Sequence, residues 1–231
     1  MSSPSDDPQA AFDDPSSIAS YADRTRRLVP GWADLQKMAT LLLAERSPPE
    51  ARVLVVGAGG GVELKAFAEA QPSWRFVGVD PSAPMLAMAR AALGAMAARV
   101  EFHDGYVETA PDGPFDAASC LLTMHFVPLA QRLRTLEEIR RRLKPGAPFV
   151  MAHMSFPQAA DERALWLGRY AAFAMSSGVD PEAARRAATA IGSSLPLLGP
   201  DDEEALLAQA GFDGTRVFYA GLAFRGWVAL A

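Results

Sequence analysis

The chain has 231 residues, 50% of them hydrophobic and 21% charged, with a formal net charge of −5. This length allows one large α/β domain or a domain with a small insertion, and the apolar content is ample for a core. The acidic balance excludes a global basic field that would hold nucleic acid, and the single cysteine, Cys120, excludes an intramolecular disulfide or Cys-x-x-Cys metal chemistry.

Residues 1–16, rich in Ser, Asp and Pro, read as a disordered tail with no apolar signal core. No apolar run is long enough to cross a bilayer without charges or prolines, so a cytoplasmic protein without membrane contact is expected. A helical lead-in over 17–47 follows. In it Leu28, Trp32, Leu35, Met38, Leu41 and Leu42 recur at three and four, predicting two helices hinged at Pro30-Gly31. Val53-Leu-Val-Val56 then breaks into Gly57-Ala58-Gly59-Gly60-Gly61 and resumes as a helix. A buried strand, a glycine turn and a helix N-terminus in that order let backbone approach a ligand closely, because no Cβ obstructs it. Arg75–Val79 reads as a second strand ending in the carboxylate of Asp80, and further strands read at 99–102, 115–121 and 147–153. Lys144-Pro-Gly146 ends a helix beginning near Leu129, and 157–195 reads as a helical cap that would enclose a substrate. Asp201, three residues before Glu204, marks a helix start, with a stop at Gly211. Strands at 215–220 and 223–230 close the pattern. The sum is a single α/β domain over 17–231 with a doubly wound sheet.

The glycine turn and Asp80, about one βαβ unit apart, predict a bound nucleoside. The dinucleotide fingerprint Gly-x-Gly-x-x-Gly does not fit, because Gly60 and Gly61 come too early. After Asp80, Ser82-Ala-Pro-Met85-Leu86-Ala-Met88-Ala-Arg90 resembles the helix of class I S-adenosylmethionine (SAM)-dependent methyltransferases. The resemblance extends over five ordered motifs: Val53–Gly61, Phe76–Met85, Val100–Gly105, Phe115–Phe126, and Leu143–Gly146 with Pro148–His153. It implies a Rossmann-like sheet of seven strands, mostly parallel with a C-terminal antiparallel hairpin, and SAM as cofactor with S-adenosylhomocysteine as product.

Arg27-Leu-Val-Pro-Gly-Trp32, Leu43-Ala-Glu-Arg46, the segment from Ser155 through the cap, Ala210-Gly-Phe212 and Val228-Ala-Leu230 resemble the branch that makes carboxy-SAM for wobble-uridine modification in tRNA. That branch has an Asn where Leu121 aligns, and a cap arginine near Arg185 and Arg186 but out of register with them. The resemblance therefore implies a relative whose acceptor is unassigned.

By the same resemblance, Gly57, Ala58, Gly59 and Gly61 would pass against the methionine and ribose portions of SAM. Asp80 would accept the ribose hydroxyls, with an N-cap for the following helix as the alternative or simultaneous role. Pro81 and Met85 would flank the adenine. Asp104, Gly105 and Tyr106 would read its edge, unless they form a plain loop. Leu121 and His125 would shape the pocket and Trp32 would cover it. Val55 stands where the family usually carries an acid two residues before the first glycine, and Glu63 does not share that strand position.

His153, at the end of the fifth strand, is the candidate general base, against the alternative of a packed histidine. His103, His125 and His153 lack metal-ligand spacing, so no metal is expected. Cys120 reads as core. Arg140, Arg141, Arg142 and Lys144 complement a helix dipole. Arg24, Arg26 and Arg27 leave open an anionic substrate or a partner subunit, as in a homodimer. Trp166, Tyr170 and Phe173 are expected to join Trp32 in a lid, with core packing as the alternative for most of them, so that one or two reach the cavity, Trp32 first. The leading expectation is methyl transfer to a small-molecule acceptor, without direct nucleic-acid binding. Carboxy-SAM synthesis and a non-catalytic SAM-binding module are the alternatives.

Overall fold

The computed structural model describes residues 21–231 of the chain. The tail expected over residues 1–16 lies outside them. The lead-in forms α1 (Tyr21–Leu28) and α2 (Trp32–Ala44), and Gly31 between them adopts φ 63°, a left-handed turn that costs a glycine little. The remaining elements follow in chain order. They are β1 (Arg52–Val56), α3 (Val62–Ala70), β2 (Arg75–Asp80), α4 (Ala83–Leu93), β3 (Val100–Asp104), β4 (Ala117–Leu121), α5 (Leu129–Arg141), β5 (Pro148–Met154), α6 (Ala160–Ser176), α7 (Pro181–Ser194), α8 (Pro200–Gln209), β6 (Asp213–Gly221) and β7 (Phe224–Leu230).

The seven strands form one sheet in the order β3-β2-β1-β4-β5-β7-β6. The first five are parallel, while β7 pairs antiparallel with both β5 and β6. The chain therefore winds outward from β1 to β3, returns to β4 beside β1, and winds the other way. The crevice between the carboxyl ends of β1 and β4 is the switch point where such sheets accept ligands.

Strand alternation sorts side chains onto two faces. Val53 and Val55 of β1, Leu121 of β4 and Val150, Ala152 and Met154 of β5 pack with α2, α3, α4 and the α6–α7 pair. Leu54 and Val56, Cys120, and Phe149 and Met151 pack on the other face with Leu136 and Ile139 of α5 and Leu207 of α8. Helices on both faces require apolar residues at every strand position, which is why β1, β4 and β5 read as continuous runs.

The N-cap expected at Asp201 lies two residues earlier, and the helix begins at Pro200. Gly199 is its N-cap, and the Gly199 N–H donates to Asp202 Oδ2 at 3.3 Å. Proline at the first helical position loses no hydrogen bond, since that N–H has no intrahelical acceptor. The basic run after α5 does more than complement a dipole. Arg142, 2% exposed, donates to the main-chain oxygens of Glu108 and Ala110 and pairs with Glu138, while Lys144 Nζ lies 2.6 Å from Asp116 Oδ1. Among the described residues, no helix is long and apolar enough to cross a membrane.

Candidate cofactor site at the β1–β4 crevice

The turn after β1 folds back on the end of β2. The Gly57 and Ala58 N–H groups both donate to Val79 O, at 2.8 and 2.9 Å. Gly57, Gly59 and Gly61 all have positive φ, from 44° to 79°. Their reasons differ. A Cβ on Gly57 would lie 2.0 Å from Thr123 Oγ1, because the loop after β4 closes against the turn. A Cβ on Gly61 would lie 2.7 Å from the Ala89 main chain, so this glycine lets α3 approach α4 rather than a ligand. At Gly59 the nearest atom would be Met85 Cε at 3.4 Å, with Asp80 Oδ2 at 3.9 Å.

Asp80 is held by two main-chain donors, Gly59 N–H to Oδ2 and Ser82 N–H to Oδ1, each at 2.9 Å. Burial raises its carboxyl above the usual range, opposed by those two hydrogen bonds, while Asp104 adds to the rise. Each oxygen keeps further acceptor capacity, as two ribose hydroxyls require. The cap of α4 is not Asp80 but Ser82, whose hydroxyl accepts from Met85 N–H.

Between this turn and the end of β4 opens a narrow recess, continuous with solvent and lined by Trp32, Gln36, Gly57, Ala58, Gly59, Gly60, Val62, Glu63, Leu121 and Leu122. Five residues expected at the cofactor therefore meet here: Trp32, Gly57, Ala58, Gly59 and Leu121. Asp80 and Met85 stand beside Gly59. Pro81 is exposed next to Asp80, and Asp104 and Tyr106 are exposed at the neighbouring edge, where Asp104 pairs in register with Asp80. The Gly105 N–H donates to Asp80 O at 3.1 Å.

His125 and His153 do not join the recess. His153 is 0% exposed and follows the parity of Phe149 and Met151, so it faces α5 and α8 across the sheet from Trp32 and Leu121. Its Nε2 lies 2.9 Å from Glu203 Oε1, which also takes Arg132 Nη1 at 2.6 Å. The general-base assignment is thus corrected to a packed histidine in a buried ionic cluster. His125 is buried between Phe126 and His153, with ring centroids at 4.2 and 6.2 Å. Burial, then His153 and Arg132, hold its pKa well below the ordinary histidine value. The lid expectation contracts in the same way. Only Trp32, with the Arg26 guanidinium 5.5 Å from its ring centroid, lines the recess. Tyr170 is buried against Phe224, and Trp166 lies under the guanidinium groups of Arg169 and Arg225. Among the described residues, no three His, Cys, Asp or Glu side chains converge as a metal site.

Five wall residues lie outside the expected cofactor set: Gln36, Gly60, Val62, Glu63 and Leu122. Leu122 adopts φ 57°, an uncommon conformation for a bulky side chain, and its N–H donates to Ala152 O at 2.6 Å. Nothing in the local sequence marks that turn. Glu63 does carry a legible signal, an acid just beyond a glycine loop, although it does not share the strand position of the family's usual acid. It enters instead from the first turn of α3. Ser119 Oγ donates to Glu63 Oε1 at 2.7 Å, and Ser119 pairs in register with Val55. Burial, partly offset by that hydrogen bond, pushes the Glu63 carboxyl up to about 8, with Asp80 adding to the rise.

Residues 53–146 match the family described as Methyltransferase domain. Over 92% of its length the chain is 26% identical to a carboxy-S-adenosyl-L-methionine synthase of Chromohalobacter salexigens, covering 80% of that protein. It is 34% identical to a demethylmenaquinone methyltransferase of Thermus thermophilus over 62% of the chain and 64% of that protein. An O-methyltransferase family protein of Burkholderia thailandensis shares the fold, with a TM-score of 0.70 at 15% identity over 99% of this chain and 64% of that one. The chain thus spans less than two thirds of the last two proteins.

Proposed function

We propose that this class I SAM-dependent methyltransferase moves the sulfonium methyl group of SAM onto a small-molecule acceptor. One observation carries the reading: the glycine turn, Asp80 and the end of β4 meet around a recess at the switch point of the sheet. Bound SAM supplies a methyl group on a positively charged sulfur, which is already a good leaving group. Asp80 would hold the ribose through the free acceptor capacity of both oxygens, and the Gly57–Gly60 turn would admit the ligand against main chain. Leu121, Leu122 and Trp32 would exclude water from the reacting end. That methyl group would be open to in-line displacement by an acceptor's lone pair, with S-adenosylhomocysteine as the leaving group and any acceptor proton passing to solvent or to a base. Positioning supplies most of the rate, so the burial of His153 removes no required group.

Turnover tests this reading. Incubation of the protein with SAM and a panel of small oxygen and nitrogen acceptors should yield S-adenosylhomocysteine and one methylated product by mass spectrometry. Asp80→Ala should abolish both. SAM bound by the wild type but never turned over across the panel would favour a non-catalytic module.

A second reading, carboxy-SAM synthesis, is supported by the similarity to carboxy-SAM synthases along most of the chain. Leu121 opposes it, standing in the recess wall where that branch has an amide. Incubation with SAM and prephenate should leave the cofactor mass unchanged under the first reading. A gain of one carboxylate would establish the second.

A further inference from the structure

The wall of the recess holds two buried polar side chains that the fold satisfies only in part. Gln36, on α2, is 6% exposed, and its Oε1 is buried without a hydrogen-bond donor among the described residues. Glu63, also 6% exposed, receives the Ser119 hydroxyl at Oε1 at 2.7 Å and forms no ion pair among the described residues. A buried amide oxygen without a donor costs roughly 1–3 kcal/mol, and a buried carboxylate costs more unless it is paired or neutralised. An amide oxygen without a donor beside a buried carboxyl without a cation calls for one kind of ligand group, a cation rich in N–H.

The ionisable groups acting on Glu63 from the surrounding elements are Asp80 at the end of β2 and the Cys120 thiol on β4. Both are acids. No protein cation is placed to neutralise Glu63 among the described residues, and Val55 leaves β1 without an acid of its own.

We propose that Glu63 and Gln36 together form the receiving site for the ammonium group at the amino-acid end of the ligand, Glu63 entering from α3 in place of the acid absent from β1. The inference rests on SAM or its product being the ligand of this recess. Ammonium N–H groups would supply the donor that Gln36 Oε1 lacks and the positive charge that Glu63 lacks. The carboxyl would then lose its proton on binding, because a cation in contact favours the ionised form. In the empty site, burial keeps that proton bound up to about pH 8. Ligand uptake at neutral pH is therefore coupled to release of a proton from Glu63. The site also distinguishes nucleosides by their tails, preferring an amino-acid tail over a neutral one.

Calorimetry of S-adenosylhomocysteine binding at pH 7, repeated in two buffers of different ionisation enthalpy, counts the protons released. The wild type should release close to one proton. Glu63→Gln should release almost none and bind S-adenosylhomocysteine about tenfold or more weakly, whereas 5′-methylthioadenosine, which shares the adenosine and thioether but lacks the amino-acid end, should bind both proteins alike. Gln36→Leu, which leaves Glu63 and its hydrogen bond in place, should show the same selective weakening, so the inference does not depend on one variant folding. Equal losses for both ligands in these variants would assign the pair a structural role and overturn the inference, as would wild-type binding without proton release. If the wild type bound 5′-methylthioadenosine but not S-adenosylhomocysteine, the ammonium site would fail and nucleoside binding would stand. If it bound neither, the cofactor reading would fall and this inference with it.

Discussion

At the scale of single residues, two positions in the glycine turn illustrate how one residue type serves unrelated ends. Gly59 faces Met85 and Asp80, whereas Gly61 faces the main chain of Ala89 at a distance no Cβ tolerates. Gly61→Ala must force α3 away from α4 and also place alanine at φ 79°. We expect a loss of about 2–4 kcal/mol in urea unfolding, from overpacking and backbone strain together. Glu63 makes a different prediction. Its carboxyl is raised to about 8 in the fold against 4.5 in an ordinary setting, so between those values the folded chain holds a proton that the unfolded chain has released. Stability attributable to this site is therefore intact below about pH 4.5 and declines with a slope approaching 1.4 kcal/mol per pH unit toward pH 8. Thermal melts of the ligand-free protein between pH 5 and 8 should fall less steeply for Glu63→Gln than for wild type. Identical slopes would mean that Glu63 is ionised throughout. Trp32 lines the recess and also belongs to the core. At 9% exposure and within the apolar cluster of the first sheet face, Trp32→Ala should weaken SAM binding and also cost about 3 kcal/mol of apo stability.

At the scale of elements, α5, α8 and β5 are joined by Arg132, Glu203 and His153, all fully buried. Burial alone would raise the Glu203 carboxyl, but His153 and Arg132 outweigh it and hold the group below its ordinary value. Its ionised form therefore stabilises the fold above about pH 4.5, and that contribution is lost as the pH falls through the lower folded value. Glu203→Gln strands the Arg132 charge and should cost about 3–5 kcal/mol, while the double change Arg132→Met with Glu203→Leu should cost less than either single change. Urea unfolding of the double variant, its two single variants and Glu203→Gln checks this. His153→Gln should lower the melting temperature and leave SAM affinity unaltered. A selective loss of SAM affinity would return His153 to the site.

This cluster also marks where sequence reading ended. The strands, the hinge at Pro30-Gly31 and the hairpin were legible, because apolar runs and punctuating Gly and Pro are local signals. Whether His153 points toward the recess or away from it is decided by strand parity against helices distant in sequence. Likewise Glu63 comes level with β4 only once α3 has docked, and Gln36 reaches the wall only through the packing of α2. Asp80 and the glycine turn were legible because both lie at strand ends, where the sheet alone determines position.

At the scale of the molecule, the recess draws on α2, the β1 turn, α3 and the end of β4, so a ligand there bridges the lead-in and the sheet. Binding should therefore stabilise the whole unit by mass action, by about 2.7 kcal/mol at a hundredfold excess over Kd. The central claim is that this crevice is built for SAM rather than for a dinucleotide. It is tested most directly by calorimetric titration of the wild type and Asp80→Ala with SAM and, separately, with NAD. The account predicts saturable SAM binding by the wild type, its loss in Asp80→Ala, and no NAD binding. Binding of NAD with no SAM binding at millimolar concentration would contradict it.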